Sequence, residues 1–244
     1  MIFLRSTLYQ ILFLPWTLIL CVGYLPLLVA APRLIVQHAA RFWLEGALWM
    51  QKYVLGLSFE VVGAENLPKG GAILAAKHQS AWETMVFHRL VGDPAFVLKR
   101  ELLRLPLIGW YMRRTEQIPI DRASRGTALK QMLEKGKRAV AQGRSLVIFP
   151  EGTRQPTGHA GRYHSGVFKL YNALGVPVAP IALNSGLFWG RNAFLRHPGK
   201  ITLKILPPIP PGLDREAFMS RLQNDIETAT RALEQAASAA APPS

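Results

Sequence analysis

His78 stands five residues ahead of Glu83 in Lys77-His78-Gln79-Ser80-Ala81-Trp82-Glu83, directly after the apolar run Ala72-Ile73-Leu74-Ala75-Ala76. An imidazole with a carboxylate in reach can act as a general base. The acid accepts from one ring nitrogen and fixes the tautomer, and the other nitrogen is then free to take a proton from a hydroxyl. Five positions on a regular helix turn about 500° and put two side chains on different faces, so the pair cannot work from inside one helix. The spacing does work if His78 ends a strand and the next helix starts near Ser80, with Glu83 in its first turn pointing back at the ring. The same letters also spell a capping box, in which Glu83 bonds the backbone N–H of Ser80. Both readings of Glu83 stay open on sequence alone, and a histidine taken by itself is more often a hydrogen-bonded core residue than a base, which is the alternative for His78.

Two further words have the same setting. Phe149-Pro150-Glu151-Gly152-Thr153-Arg154 follows Leu146-Val147-Ile148, and Ile118-Pro119-Ile120-Asp121-Arg122 is itself an apolar run ending in charge. The elements that must position them are legible as short apolar runs alternating with helical periods, the pattern of an α/β layer structure. Strands are expected at 58–62, 72–76, 95–98, 117–120, 146–149, 178–183 and 201–206, and helices at 81–91, 100–105, 124–141, 166–174 and 215–237. Turn signals fall between them at Pro68-Lys69-Gly70-Gly71, Gly92-Asp93-Pro94, Gln142-Gly143 and the proline-rich stretch from Pro207 to Gly212. Chemistry in open α/β sheets gathers at strand C-terminal ends. Three strands would therefore deliver His78 and Glu83, Arg122, and Glu151 with Arg154 to one crevice.

The N-terminus has a different character. No charged residue occurs between Arg5 and Arg33, which is long enough to cross a hydrocarbon core, so residues 6–32 are expected in lipid or at its edge. A cleaved signal peptide is the alternative, but the apolar stretch is longer than such segments need. Pro15, Gly23 and Pro26 make a bent or re-entrant helix as reasonable as a straight span. The stretch 38–56 sets Phe42, Trp43, Trp49 and Tyr53 among Arg41, Glu45 and Lys52, and reads as an interfacial helix or as an ordinary core helix.

The 244 residues allow one domain with an appendage, and the net charge of +14 asks for an anionic partner. With 50% hydrophobic residues and six tryptophans, the composition favours a bilayer surface over nucleic acid. Cys21 is the sole cysteine, which excludes an intramolecular disulfide and a cysteine-based zinc site. His78, His88, His159 and His164 lack the spacing of a metal motif, and there is no Gly-x-Ser-x-Gly. No metal and no cofactor is expected.

Taken in order, these motifs resemble those of the 1-acyl-sn-glycerol-3-phosphate acyltransferases, the lysophosphatidic acid acyltransferase family, over roughly residues 57–206. That family carries His-x-x-x-x-Asp, a second motif bearing arginine, Phe-Pro-Glu-Gly-[Thr/Ser]-Arg, and an apolar fourth motif with a proline. The counterparts here are His78 to Glu83, Ile118 to Arg122, Phe149 to Arg154, and Val176 to Ile181. Four motifs in order make a specific signal where any one would not. Glu83 departs from the pattern, being one methylene longer than the family's aspartate.

The resemblance implies a single glycerolipid-acyltransferase-like α/β domain at 57–237 with a central, mostly parallel sheet flanked by helices. It also implies an N-terminal hydrophobic helical membrane anchor at 1–56, ahead of a disordered tail at 238–244. It implies that His78, oriented by Glu83, deprotonates the sn-2 hydroxyl of a lysophospholipid, which attacks an acyl thioester of CoA or acyl carrier protein. Arg122, Arg154 and Lys99 would hold the acceptor phosphate. Gly152 and Thr153 would line the substrate, and Glu151 would bond a substrate hydroxyl or hold Arg154. Arg122, next to Asp121, also reads as half of a surface ion pair of little worth. The catalytic body would face the cytoplasm on the inner membrane. A different lysolipid acceptor, such as a lyso-ornithine lipid, keeps the chemistry and changes the substrate. A non-catalytic basic module on anionic membrane or nucleic acid would explain the charge but not the His78–Glu83 spacing.

Overall fold

The computed structural model of the chain describes residues 1–121 and 125–239, with the backbone alone at 125–128. Seven strands form one sheet: β1 (Leu57–Val62), β2 (Ile73–Ala76), β3 (Ala95–Lys99), β4 (Ile118–Ile120), β5 (Leu146–Ile148), β6 (Val178–Leu183) and β7 (Gly199–Ile205). Their spatial order is β1-β7-β6-β2-β5-β3-β4. Every neighbouring pair is parallel except β6 with β7. The expected mostly parallel sheet is therefore the one observed, with β1 and β7 as a parallel pair running opposite to the other five.

Between the strands lie α4 (Trp82–Val91), α5 (Ile108–Arg114), α6 (Arg125–Ala141), α7 (Gly166–Leu174) and, last, α8 (Arg215–Ala239). The strand alternation sorts them into layers. Leu74 and Ala76 of β2 join a core with Trp82, Val86 and Phe87 of α4. Ile73 and Ala75 face the opposite way, into a core with Val167 and Leu170 of α7 and Phe218, Leu222 and Ile226 of α8. All four β2 residues are buried, which suits a central strand covered on both faces.

Two elements between β3 and β4 differ from expectation. The stretch 100–105 is a 3-10 turn, Arg100–Arg104, because so short a segment running into Leu105-Pro106 has no length for an α-helix. The short helix α5 was not expected; its seven residues include Gly109 and carry too little periodicity to be seen. Of the stretch 238–244 expected as a tail, residues 238–239 continue α8 and the remainder lies outside the described residues.

Three helices precede the sheet: α1 (Ile2–Gly23), α2 (Leu25–Ala30) and α3 (Arg33–Met50), the last continued by a π-helical turn at Gln51–Leu55. Helix α1 runs through Pro15, and the chain breaks at Tyr24, just ahead of Pro26. Among the described residues, α1 alone is long and apolar enough to cross a membrane. Phe3, Leu4, Ile11, Leu14, Leu18 and Ile19 are exposed along it, whereas Tyr9 is fully buried. Helix α3 is two-sided. Leu44, Ala47 and Leu48 enter the core beside Trp82, while Phe42 and Trp49, together with Tyr53 in the π turn, face out.

A charged staple joins these helices to the sheet. Arg33, the first residue of α3, donates two parallel bonds to Asp93, at 3.0 and 2.9 Å, and buried Arg144 approaches the same carboxylate at 3.3 Å. Asp93→Ala leaves two guanidinium groups without their shared acceptor and is expected to cost ~2 kcal/mol. The check is the thermal midpoint of the detergent-purified protein, and an unmoved midpoint tells against the staple.

Candidate active site

The chain leaves β2 after Ala76, and α4 begins at Trp82, so Glu83 lies in the first helical turn with its carboxylate turned back. Its Oε1 accepts the backbone N–H of Gln79 at 2.6 Å and of Ser80 at 2.7 Å, and lies 3.2 Å from His78 Nδ1. Its Oε2 accepts the hydroxyl of Ser185 at 2.9 Å. The capping and orienting readings of Glu83 thus coexist, because one carboxylate has lone pairs enough for both. The side chain is fully buried, and four donors converge on it. With every contact on the carboxylate coming from a donor, Nδ1 of His78 is the ring nitrogen placed to donate to it.

The histidine ring is held on its face as well. Phe149 stacks on it with centroids 4.0 Å apart and planes 16° from parallel. The backbone ties the same two segments: Gln155 N–H donates to the His78 carbonyl at 2.7 Å, and His78 N–H donates to Glu151 Oε2 at 3.0 Å. The segment after β5 is therefore fastened to the segment after β2 through ring, donor and acceptor. Gly152 makes the turn possible: its φ of +67° is a conformation that side chains resist, and its N–H closes the turn onto the Phe149 carbonyl at 2.9 Å.

His78, Lys99, Gly152, Thr153 and Arg154 line one cavity of about 990 Å³. Its walls are mostly apolar, with Leu20, Trp43 and Leu44 from the N-terminal helices, Met85 from α4, and Phe96 and Leu98 from β3. Lys99 closes β3, and His164 joins the lining from the loop before α7. The strand ends that contribute, β2, β5, β3 and β4, are successive neighbours in the sheet, so one crevice gathers them. Arg122 lies outside the described residues. Asp121, just ahead of it, lines the cavity and accepts from Arg100 at 3.1 Å. His88 also reaches the cavity, but burial pushes its pKa down to about 4, which leaves that imidazole neutral at physiological pH.

Glu151 sits elsewhere than the sequence suggested. It is buried and contacts neither the cavity nor Arg154. Its Oε1 pairs with Lys77 Nζ at 2.7 Å and accepts Gly161 N–H at 3.1 Å. The physical reason is Lys77, whose fully buried ammonium must be matched by acids and is met by Glu151 and, at 2.8 Å, by Glu227 of α8. Two acids on one cation leave surplus negative charge. Burial pushes the Glu151 carboxyl above its ordinary pKa, against the pull of Lys77. Lys77, Gln79, Ser185, Glu227 and Glu234 all escaped sequence reasoning. The available signal was a carboxylate inside the apolar stripe of an amphipathic helix, Phe218, Leu222, Ile226, Glu227.

Residues 58–184 match the family model described as Acyltransferase. The chain is 39% identical over 175 residues to a 1-acyl-sn-glycerol-3-phosphate acyltransferase of Pseudomonas aeruginosa, an alignment covering 72% of this chain and 66% of that protein. It is 31% identical over 180 residues to a protein of the same description from Saccharomyces cerevisiae, covering 71% and 59%. In both cases the match spans less than two thirds of the relative's own length. Among solved structures, the 1-acyl-sn-glycerophosphate (LPA) acyltransferase PlsC of Thermotoga maritima superposes with a TM-score of 0.77 at 24% identity, over 96% of this chain and 99% of that one, a likeness of fold.

Proposed function

The chain belongs to the acyltransferase family, and from that premise we propose that it transfers a fatty acyl group from an acyl thioester to the sn-2 hydroxyl of 1-acyl-sn-glycerol 3-phosphate, giving phosphatidic acid. The observation that carries this reading is a histidine whose Nδ1 faces a buried carboxylate and whose ring opens onto a large apolar cavity shared with Arg154 and Lys99. In the proposed reaction His78 Nε2 takes the acceptor hydroxyl proton as that oxygen bonds to the thioester carbonyl carbon. The C–S bond then breaks, and the thiolate leaves with the proton that His78 returns. Glu83 steadies the imidazolium between those events. Holding both reactants in one cavity removes much of the entropic cost of a two-substrate step.

Arg154 and Lys99, with Arg122, supply positive charge for the acceptor phosphate. The exposed apolar face of α1 and the outward aromatics of the α3 region support seating in a bilayer, where both lipid substrate and product reside. We assign the thioester to CoA or acyl carrier protein, which places the catalytic body on the cytoplasmic side of the inner membrane.

The test offers acyl-CoA and acyl carrier protein donors, with the protein in lipid vesicles, to 1-acyl-sn-glycerol 3-phosphate and to monoacylglycerol. Transfer to the phosphorylated acceptor is expected, and no transfer from either donor overturns the proposal. Arg154→Ala removes a charge-assisted bond of ~1.5–3 kcal/mol and is expected to raise KM for the phosphorylated acceptor by about 10- to 100-fold. Residual transfer to monoacylglycerol should stay unchanged. Equal losses on both acceptors would take Arg154 off the phosphate.

A further inference from the structure

Just after β2, His78 lines the cavity while its neighbours Lys77 and Gln79 do not. Both neighbours end on one helix. Lys77 Nζ pairs with Glu227 at 2.8 Å, and Gln79 Nε2 donates to Glu234 Oε1 at 2.6 Å. Glu227 and Glu234 are seven residues apart on α8, two turns on the same face, and both are buried. Neither lines the cavity.

The remaining bonds of this pair also go to segments that frame the histidine. Tyr163 donates its hydroxyl to Glu227 Oε1 at 3.0 Å, and Gly158 N–H donates to Glu234 Oε2 at 3.1 Å. Across the cluster, Lys77 also bonds Glu151, which accepts the backbone N–H of His78. Gln79 Oε1 in turn accepts Gly186 N–H at 3.1 Å, beside the Ser185 that bonds Glu83. Two buried carboxylates are an expensive way to fasten an amphipathic helix, because leucines at the same positions would bury more cheaply. What the acids add is direction: each is bonded to one of the two residues flanking the base.

We infer that α8 is a clamp on the catalytic base, in which Glu227 and Glu234 act as positioning residues that hold His78 through Lys77 and Gln79. The inference rests on the reading of His78 as the base. Helix α8 lies outside residues 58–184, so the clamp is an addition to the part of the chain the family model matches.

Glu227→Leu and Glu234→Leu, made separately in the full chain, test it by acyl transfer in vesicles, with rates normalised to folded protein by circular dichroism. Misplacement of about 1 Å can cost about 100-fold, so kcat is expected to fall about 10- to 100-fold in each variant, with both KM values within about twofold of wild type. Glu227→Gln keeps an oxygen for Lys77 and is expected to recover kcat to within about threefold of wild type. A lowered thermal midpoint with unchanged kcat per folded molecule in both leucine variants would make the acids ordinary stabilising groups and overturn the clamp. Should Glu227→Leu fail to fold, Glu234→Leu decides, since it leaves the Lys77 cluster intact. An inactive wild type in the same assay defeats the acyltransferase reading itself, whereas an active wild type with unaltered variants defeats only the clamp.

Discussion

His78→Ala is expected to lower kcat for acyl transfer by about 10²- to 10⁴-fold, the contribution of a positioned general base. The loss should fall on kcat with little change in either KM, because the cavity that would bind both substrates is built mainly from apolar walls and from Lys99 and Arg154. The ring also packs on Phe149, so His78→Gln is the companion variant that keeps some of that contact and still cannot accept the proton. Transfer in both variants is measured as free thiol released from an acyl-CoA donor in vesicles. Near-normal turnover in either one would remove the base from the mechanism and leave Glu83 as a helix cap only.

The second large effect is on stability. Lys77→Met takes away the cation between Glu151 and Glu227 and leaves two buried acids facing each other, an arrangement expected to cost about 3–5 kcal/mol. The loss should depend on pH with a definite sign. Burial raises the Glu151 carboxyl above its value in the unfolded chain, about 4.3, and without the cation that push is unopposed. Between those values the folded protein binds protons that the unfolded chain has released, so stability falls as pH rises through the window. Burial already pushes the Glu151 carboxyl upward in the wild type, so the parent shows the same sign with smaller amplitude. Thermal midpoints at pH 5 and pH 8 check this. The variant is expected to approach wild type at pH 5 and to fall well below it at pH 8, and an equal deficit at both would contradict the buried-acid account.

What the chain disclosed of itself followed the range of the interactions. The His78–Glu83 pair was legible because strand end, turn and first helical turn lie within a few residues, and local geometry allowed only one way for the two side chains to meet. The strands at 72–76, 146–149 and 178–183 could be read because continuous apolar runs of that length suit a sheet covered on both faces. Glu151 was misplaced for the opposite reason. Its partner Lys77 is 74 residues away and the other acid on that lysine is 150 residues away, and no local pattern reports such meetings. Ser185, bonded to Glu83 across 102 residues, was hidden in the same way. The two readings of Glu83 could not be separated in sequence because they were never exclusive.

A ring laid flat on Phe149 and bonded at Nδ1 to Glu83 keeps Nε2 on the edge away from that carboxylate. In the proposed transfer the same nitrogen collects the hydrogen from the alcohol and hands it to the departing sulfur, both from that one edge. Alcohol oxygen and sulfur are consequently required to lie on a common arc around Nε2. That confines the thioester to approach from the acceptor's own side of the imidazole and sets a stereochemical limit on which donors can react.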